Sequence, residues 1–566
     1  MFEEQIIELL KKELKKELQG EIKLEIPPKK EMGDFAFPCF NLAKEFKKSP
    51  VEVAKQICSK LKPSGMVEKI IPLGPYVNFF LQKGNVAESI LKSIHEERDS
   101  YGSSKEGKQR VVCIDYSHPN VAKPFGIGHL RSTMIGRALY NMLKFHDFKP
   151  LGLNHLGDWG TQFGALIYAH LTWGDRERLK TDAIKYLLEI YVKFNQEKEK
   201  TPELQEKAKE WFKKLEDNDS EAIKLWARFR ELSLEEFQRI YKMLNVDFES
   251  YDGEAFFKDR FDDAVDLLKT KVKTELSDGA LIVPLEGFEV PAIIVKSDGT
   301  STYITRDIAA AVYRLKTYKP YKVLYIVGSE QKLHFKMLFK IIDLLGKDSS
   351  KFEHINFGFY LSPDGSKMAT RKGTIVFMED VLNESIALAR KTIEEKNPDL
   401  ANKEDVAKKI GVGSVVFNDL INDRIHDVVF DWKKMLDFEG DTGPYLMYTF
   451  ARASSIVRKA IKEHSLAPGT SVDFGKLSHE SEQKVVMLLS KFKEKISESL
   501  AQYKPHVLAQ YLIELGRAFN EFYHSCPCLK EEDKELQKAR LLLIDCTRQV
   551  IKNGLKLLNI DSPDEM

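Results

Sequence analysis

Cysteine is scarce here, with six residues scattered over 566 and no paired spacing that would suggest a framework. That excludes a disulfide scaffold and fits a reducing compartment. No apolar run approaches the ~18 residues a membrane span requires. The opening stretch MFEEQIIELLKKELKKELQG mixes acids and lysines along an amphipathic helix and lacks the apolar centre and small-residue cleavage site of a signal peptide. A cytoplasmic protein without a membrane partner is expected. An excess of one charge is also missing, since 87 basic residues against 86 acidic ones leave a formal net charge of +1. That balance weakens an RNA-binding reading without removing it, because a large protein can hold RNA on local basic stripes.

What is present is ample core material, with 43% hydrophobic and 31% charged residues. A chain of this length exceeds the roughly 250–300 residues at which single cores stop growing, so several domains are expected. The pair Cys526 and Cys528, with His524 just before, invites a metal reading. A structural zinc site needs about four such ligands, usually as two separated pairs, and no second pair exists. Metal ligation is therefore not expected, and the run FYHSCP reads as the end of an apolar helix.

Along the chain, residues 1–105 open with a helix and continue as a helix–strand mixture, closing on the linker-like YGSSKEGKQR. VVCIDYS and KVLYIVG are short β-branched runs, each followed by a turn and a helix. Strand, glycine-containing turn and helix, repeated twice, predict a doubly wound, Rossmann-like parallel sheet. Between the two halves, about residues 165–295 read as an insertion, helical first and then a hairpin with Asp298-Gly299 at its turn. Beyond about 405 nearly everything is helical. The expected organisation is an α+β block at 1–105, an α/β domain at 106–395 and an all-α bundle at 396–566.

The sharpest motif is SHPNVAKPFGIGHLRSTMIGRALYNML, where Gly126, Gly128 and His129 stand at the change from turn to helix. Backbone can approach a phosphate there, at the positive end of the helix. A glycine turn or a lone histidine is by itself more often structural. The whole run, however, resembles the HIGH signature of the class I aminoacyl-tRNA synthetases in its arginyl form. Gly126 replaces the first histidine of that signature. GSKMATRKG resembles the family's KMSKS loop: Lys367 and Met368 match, while Ala369 and Thr370 depart from it. NHLGDWGTQFG, STYITRD and VGSEQKLHF are similar to further arginyl-type runs, and DTGPYLMYTFAR to the helical anticodon-binding region.

The resemblance implies an ATP-dependent arginine–tRNA ligase, working as a monomer on L-arginine and tRNA(Arg). Mg²⁺ would accompany ATP, and no organic prosthetic group is needed. His129, Lys123, Lys367, Arg371 and Lys372 would surround the phosphates. Pro119, Gly126, Gly128, Gly328, Glu330 and Met368 would complete the ATP site. A guanidinium never loses its charge and needs carboxylates matched to a planar fork. By resemblance the arginine site comprises Asp115, Asn120, Tyr303, Asp307 and Gln331, with Asp115 where the family often has glutamate. Asp307, considered alone, also reads as a helix cap. Tyr445, Tyr448 and Arg452 would read anticodon bases, and the N-terminal block would touch the tRNA elbow. Two alternatives stay open: a class I synthetase for another amino acid, and a catalytically inactive tRNA-binding paralogue, to which Gly126 and Thr370 would be suited.

If backbone meets nucleotide at Gly126, a branched side chain there obstructs it. Gly126→Val should lose most pyrophosphate exchange while Gly126→Ser retains it, and equal rates would reduce Gly126 to a turn residue.

Overall fold

A computed structural model of the protein describes residues 2–14, 22–362, 365, 376–437 and 439–566. The chain divides into two compact units, residues 1–101, 455–491 and 517–550 in one, and 102–454, 492–516 and 551–566 in the other.

In the first unit an antiparallel sheet is built from β1 (Phe35–Pro38), β2 (Val67–Leu73) and β3 (Tyr76–Leu81), with β3 in the centre. The Pro50–Lys60 helix begins with a capping box between Ser49 and Glu52, and it buries Val53, Ala54 and Ile57. Arg98 pairs with the buried Asp545 at 2.6 Å, which ties the N-terminal helices to the Lys534–Leu557 helix. Cys526 and Cys528 lie buried in this unit, while His524 is exposed on the last turn of its helix. Among the described residues no group of three or more His, Cys, Asp or Glu is placed to hold a metal ion.

The second unit is organised by a parallel sheet of β4 (Val111–Asp115), β5 (Lys149–Leu153), β9 (Lys322–Tyr325) and β10 (Phe352–His354), in the order β10-β9-β4-β5. Both central strands are buried along almost their whole length, as strands covered on both faces must be. The Tyr303–Tyr318 and Lys332–Leu344 helices pack Ile308, Ala311, Phe335 and Leu338 with Cys113, Val323 and Tyr325 of the sheet. The Leu130–Phe145 helix follows β4 and buries Leu130, Met134 and Leu139.

Five helices between Thr161 and Met243, one of them the short Arg178–Thr181, form the first part of the insertion around Phe163, Leu187, Phe194, Phe212 and Phe229. A three-stranded antiparallel sheet follows: β6 (Glu275–Ser277), β7 (Ala280–Val283) and β8 (Ala292–Val295). The Asp298-Gly299 turn forms as expected just beyond β8, with Gly299 at φ +82°. One expectation is corrected: the helix carrying Asp307 starts at Tyr303, so Asp307 lies one turn inside it and caps nothing.

A short parallel pair, β11 (Tyr360–Leu361) and β12 (Val428–Val429), adjoins a buried ion pair that sequence reasoning did not find. Arg131 Nε lies 3.0 Å from Asp419 Oδ1, and Arg131 Nη1 donates to the carbonyls of Gly358 and His426. The Tyr360 hydroxyl donates to the same Asp419 oxygen at 2.7 Å. Burial pushes both the Asp419 carboxyl and the Tyr360 hydroxyl upward, with Arg131 opposing each shift.

Removing one partner of such a pair strands the other charge in the core. Asp419→Ala should cost about 3–5 kcal/mol in urea unfolding, whereas joint replacement by Arg131→Met, Asp419→Leu and Tyr360→Phe should restore most of it. A single variant as stable as the parent would deny the pair its structural role.

Candidate active site

Beyond β4 the backbone turns through left-handed conformations at Ser117 (φ 83°), His118 (φ 54°) and Ala122 (φ 63°). Such backbone is unfavourable for side-chain-bearing residues and persists only where surroundings enforce it. Here the Ser117 N–H donates to Ser132 Oγ and the Ala122 N–H to Ser233 Oγ, both at 2.9 Å. The NHLGDWG run braces the other side. Gly157 N–H donates to the Pro119 carbonyl, and Val121 N–H donates to the Gly157 carbonyl. Asn120 lies so close that a Cβ on Gly157 would stand 2.3 Å from its Oδ1, so only glycine fits.

The loop ends in a tight turn at Ile127–His129 leading into the Leu130–Phe145 helix. Gly128 is exposed, and a Cβ there would meet nothing within 4 Å, which leaves open room at the helix N-terminus. His129 Nδ1 lies 3.2 Å from both the N–H and the carbonyl oxygen of Gly126, so it accepts from the one or donates to the other according to the tautomer. Burial pulls His129 down to about 4, and the nearby His118 and Lys123 act in the same direction. His129 is thus a neutral donor at physiological pH and not a cation. The Lys123 ammonium lies 5.8 Å from the Tyr191 ring centre, and burial lowers its pKa. The turn also has a distant neighbour: Ile127 N–H donates to the Val376 carbonyl, and Met378 N–H to that of Phe125.

The second half of the site follows β9. Gly328 is buried, and Glu330 folds its carboxylate back over it, while Gln331 is exposed. His334 Nε2 lies 2.6 Å from Asp307 Oδ2, which joins the two helices behind this turn. Asp115, at the end of β4, places Oδ2 2.7 Å from Arg314 and Oδ1 2.8 Å from His118 Nε2. Burial opposes its ionisation, yet Arg314 and His118 hold it well below the usual carboxylate range. His155 lies close enough to feel Asp115, Arg314, Asp307 and His118 together, and burial keeps it neutral.

A cavity of about 700 Å³ opens beside this cluster, lined among others by Asn120, Tyr191, Tyr303, Lys258, Glu254 and Arg306. Tyr303 is 71% exposed at the cavity wall. Arg306 pairs with Glu254 at 2.7 Å, and burial nevertheless pushes Glu254 up to about 7.

The structure thus gathers Asp115, Pro119, Asn120, Gly126, Gly128 and His129 after one strand, and Gly328, Glu330 and Gln331 after its neighbour. Tyr303 shares a cavity with Asn120, and Asp307 joins the group through His334. Lys367, Met368, Arg371 and Lys372 lie outside the described residues. Tyr445, Tyr448 and Arg452 lie on the Gly443–His464 helix, where the Arg452 guanidinium stands 4.7 Å from the Tyr448 ring centre. Tyr448 is exposed and Tyr445 half-buried.

Comparison with known proteins narrows the chemistry. Residues 90–432 match a family model described as the catalytic domain of class I tRNA synthetases of the arginine type. Residues 446–566 match the DALR anticodon binding domain, and 3–81 the arginyl tRNA synthetase N-terminal domain. An arginine–tRNA ligase of Halothermothrix orenii is 45% identical, with all of both chains covered. The chain belongs to the class I arginyl-tRNA synthetase family. An arginine–tRNA ligase of Clostridium perfringens is 49% identical over 96% of each chain. The solved arginyl-tRNA synthetase of Thermus thermophilus covers both chains fully, at 25% identity and a TM-score of 0.83.

Within this family fold, several site residues escaped sequence reasoning. Arg314 carried one usable signal: it lies seven residues after Asp307, two turns along the same helix face. His118, three residues after Asp115, was within local reach but pairs with it only because the backbone there turns left-handed, and His155 and the Glu254–Arg306 pair carried no signal because their partners come from other segments.

The His129 shift has a stability consequence. An unfolded histidine titrates near 6.5, so the folded chain sheds a proton that the unfolded chain keeps. That contribution is full above about pH 6.5 and is lost as pH falls toward 4. His129→Gln should flatten the loss of unfolding free energy between pH 7 and 5 by on the order of 2 kcal/mol. An unaltered pH slope would contradict a buried, neutral imidazole.

Proposed function

We propose that this chain activates L-arginine with ATP, giving arginyl-adenylate and pyrophosphate, and then transfers arginine to the 3′-terminal ribose of tRNA(Arg), releasing AMP. The observation that carries this reading is the meeting of two ligand-ready turns, Gly126–His129 and Gly328–Gln331, at the C-terminal ends of adjacent parallel strands. Doubly wound sheets bind nucleotides at such a switch point.

In this reading the arginine carboxylate attacks the α-phosphate and pyrophosphate leaves. No residue becomes covalently attached, so positioning and charge stabilisation carry the rate. Gly126 and Gly128 bring backbone to the triphosphate, and His129 donates Nε2–H to it. Pro119 and Met368 adjoin the nucleotide, and Gly328 and Glu330 take the ribose. Lys123, Lys367, Arg371 and Lys372 supply positive charge. Mg²⁺ enters as part of the ATP substrate; the described residues offer no carboxylate cage for it, so phosphates and water hold it.

Asn120 and Gln331 hold the α-amino and carboxylate groups of arginine, Tyr303 covers the ligand, and Asp115 and Asp307 face the guanidinium. Asp115 already balances Arg314, so Asp307, which lies beside His334, is the further carboxylate for the guanidinium. The N-terminal block, residues 1–105, takes the tRNA elbow. The helical region 396–566 takes the anticodon, with Tyr445, Tyr448 and Arg452 stacking on or hydrogen-bonding to single-stranded bases. The catalytic region spans 106–395. The chain acts as a cytoplasmic monomer, and no described helix is long and apolar enough to cross a membrane.

Pyrophosphate exchange across an amino-acid panel, with and without tRNA, tests the reading. Arginine should be used, and lysine and citrulline rejected: lysine lacks the planar fork and citrulline the charge. Asp307→Asn should raise the arginine KM far more than it lowers kcat. Efficient use of another amino acid with arginine inert would replace the reading, and inactivity with every amino acid would favour a catalytically inactive tRNA-binding chain.

A further inference from the structure

The two oxygens of Asp115 are held by donors of very different standing. Oδ2 faces Arg314, which is 3% exposed, packs on the sheet and sets its guanidinium 5.4 Å from the Tyr325 ring centre. Withdrawing Arg314 would leave two unpaired charges in the core, so this half of the carboxylate is permanently committed. Oδ1 faces His118, whose side chain is 24% exposed and whose backbone is left-handed directly after a left-handed Ser117. At that exposure the imidazole can turn toward solvent while Arg314 still balances Asp115. Of the two donors, His118 is the one that can yield.

We propose that His118 is a placeholder in the arginine site, occupying Asp115 Oδ1 in the empty enzyme and giving it up to the guanidinium of the ligand. This rests on the reading that Asp115 faces arginine. With the site empty, a buried carboxylate oxygen without a donor is costly, and the His118 N–H removes that cost. The incoming ligand must therefore do better than an imidazole N–H. A guanidinium does, because it brings full positive charge and can span Asp115 Oδ1 and Asp307 with separate N–H groups. The ureido group of citrulline offers N–H donors without charge, and lysine offers one compact ammonium for two separated acceptors. Each gains less than arginine by displacing His118, so the exchange goes furthest with a guanidinium. The other titratable groups around the contact are Arg314, His129, His155 and Lys123, and burial keeps both of those histidines neutral.

The test uses the full chain and two substitutions. His118→Asn tolerates the left-handed backbone but is too short to reach Asp115, whereas His118→Gln reaches and donates. By calorimetry, His118→Asn should lower the arginine Kd by about fivefold, the worth of one net hydrogen bond. It should lower the citrulline Kd by no more than that, because the cost of displacing His118 is at most common to both ligands, and His118→Gln should restore both. In ¹⁵N-histidine-labelled parent protein, the His118 Nε2 resonance should shift on adding arginine and stay in place on adding ATP alone. An arginine Kd that rises or is unchanged in His118→Asn, or a resonance that ignores arginine, overturns the proposal. Asp115→Asn, whose amide oxygen still accepts from Arg314, separates the two claims: an unaltered arginine Kd in that variant removes Asp115 from the arginine site itself.

Discussion

Because β4 pairs with β9 in parallel, with Asp115 opposite Tyr325, two strands far apart in sequence deliver their C-terminal ends to one edge of the sheet. Each strand continues into a turn and then a helix, so two helix N-termini and their open N–H groups meet at that edge. The insertion leaves the sheet after β5 and returns before β9, and its helices and hairpin help wall the cavity beside the same edge. Register, and not any one side chain, brings the residues of the two turns together.

Buried charge is used sparingly around this edge, and always with a partner. Asp115 with Arg314 lies under the arginine side, and Arg131 with Asp419 lies behind the His129 turn. Both pairs join a residue after β4 to an element elsewhere in the unit, so they fix relative position as well as charge. The histidines follow the opposite rule: burial keeps His129 and His155 uncharged. The imidazole rings at this edge therefore act as neutral hydrogen-bonding groups and not as cations.

Much of this was legible in the residues because it is local. VVCIDYS and KVLYIVG identify themselves as strands by β-branched runs, Asp298-Gly299 as a turn, and GIGHLRS as a turn entering a helix. Asp307 was misplaced as a possible cap for a local reason too, since Thr302, which occupies the N-cap, and Asp307 are both residue types that start helices. What remained hidden depends on long-range pairing. Arg131 meets Asp419, Arg314 meets Asp115 and Arg230 meets Asp158 across segments whose patterns are indifferent to each other. Likewise, helical periodicity from about 405 onward reveals helices but not their neighbours, and the Gly443–His464 helix contributes to both compact units.

The bridge between Gly126 and Phe377 has a temporal meaning. During synthesis the chain emerges from its N-terminus, and β4, its loop and the helix beyond can take shape long before residue 376 exists. Until Val376 and Met378 arrive, the Ile127 N–H and the Phe125 carbonyl lack the partners that hold the turn from its far side. A nascent chain of the first three hundred residues would therefore carry the histidine and glycines of the turn without its final shape. The turn acquires its last partners only when the segment behind it has left the ribosome, which couples completion of the turn to a segment about two-thirds of the way along the chain.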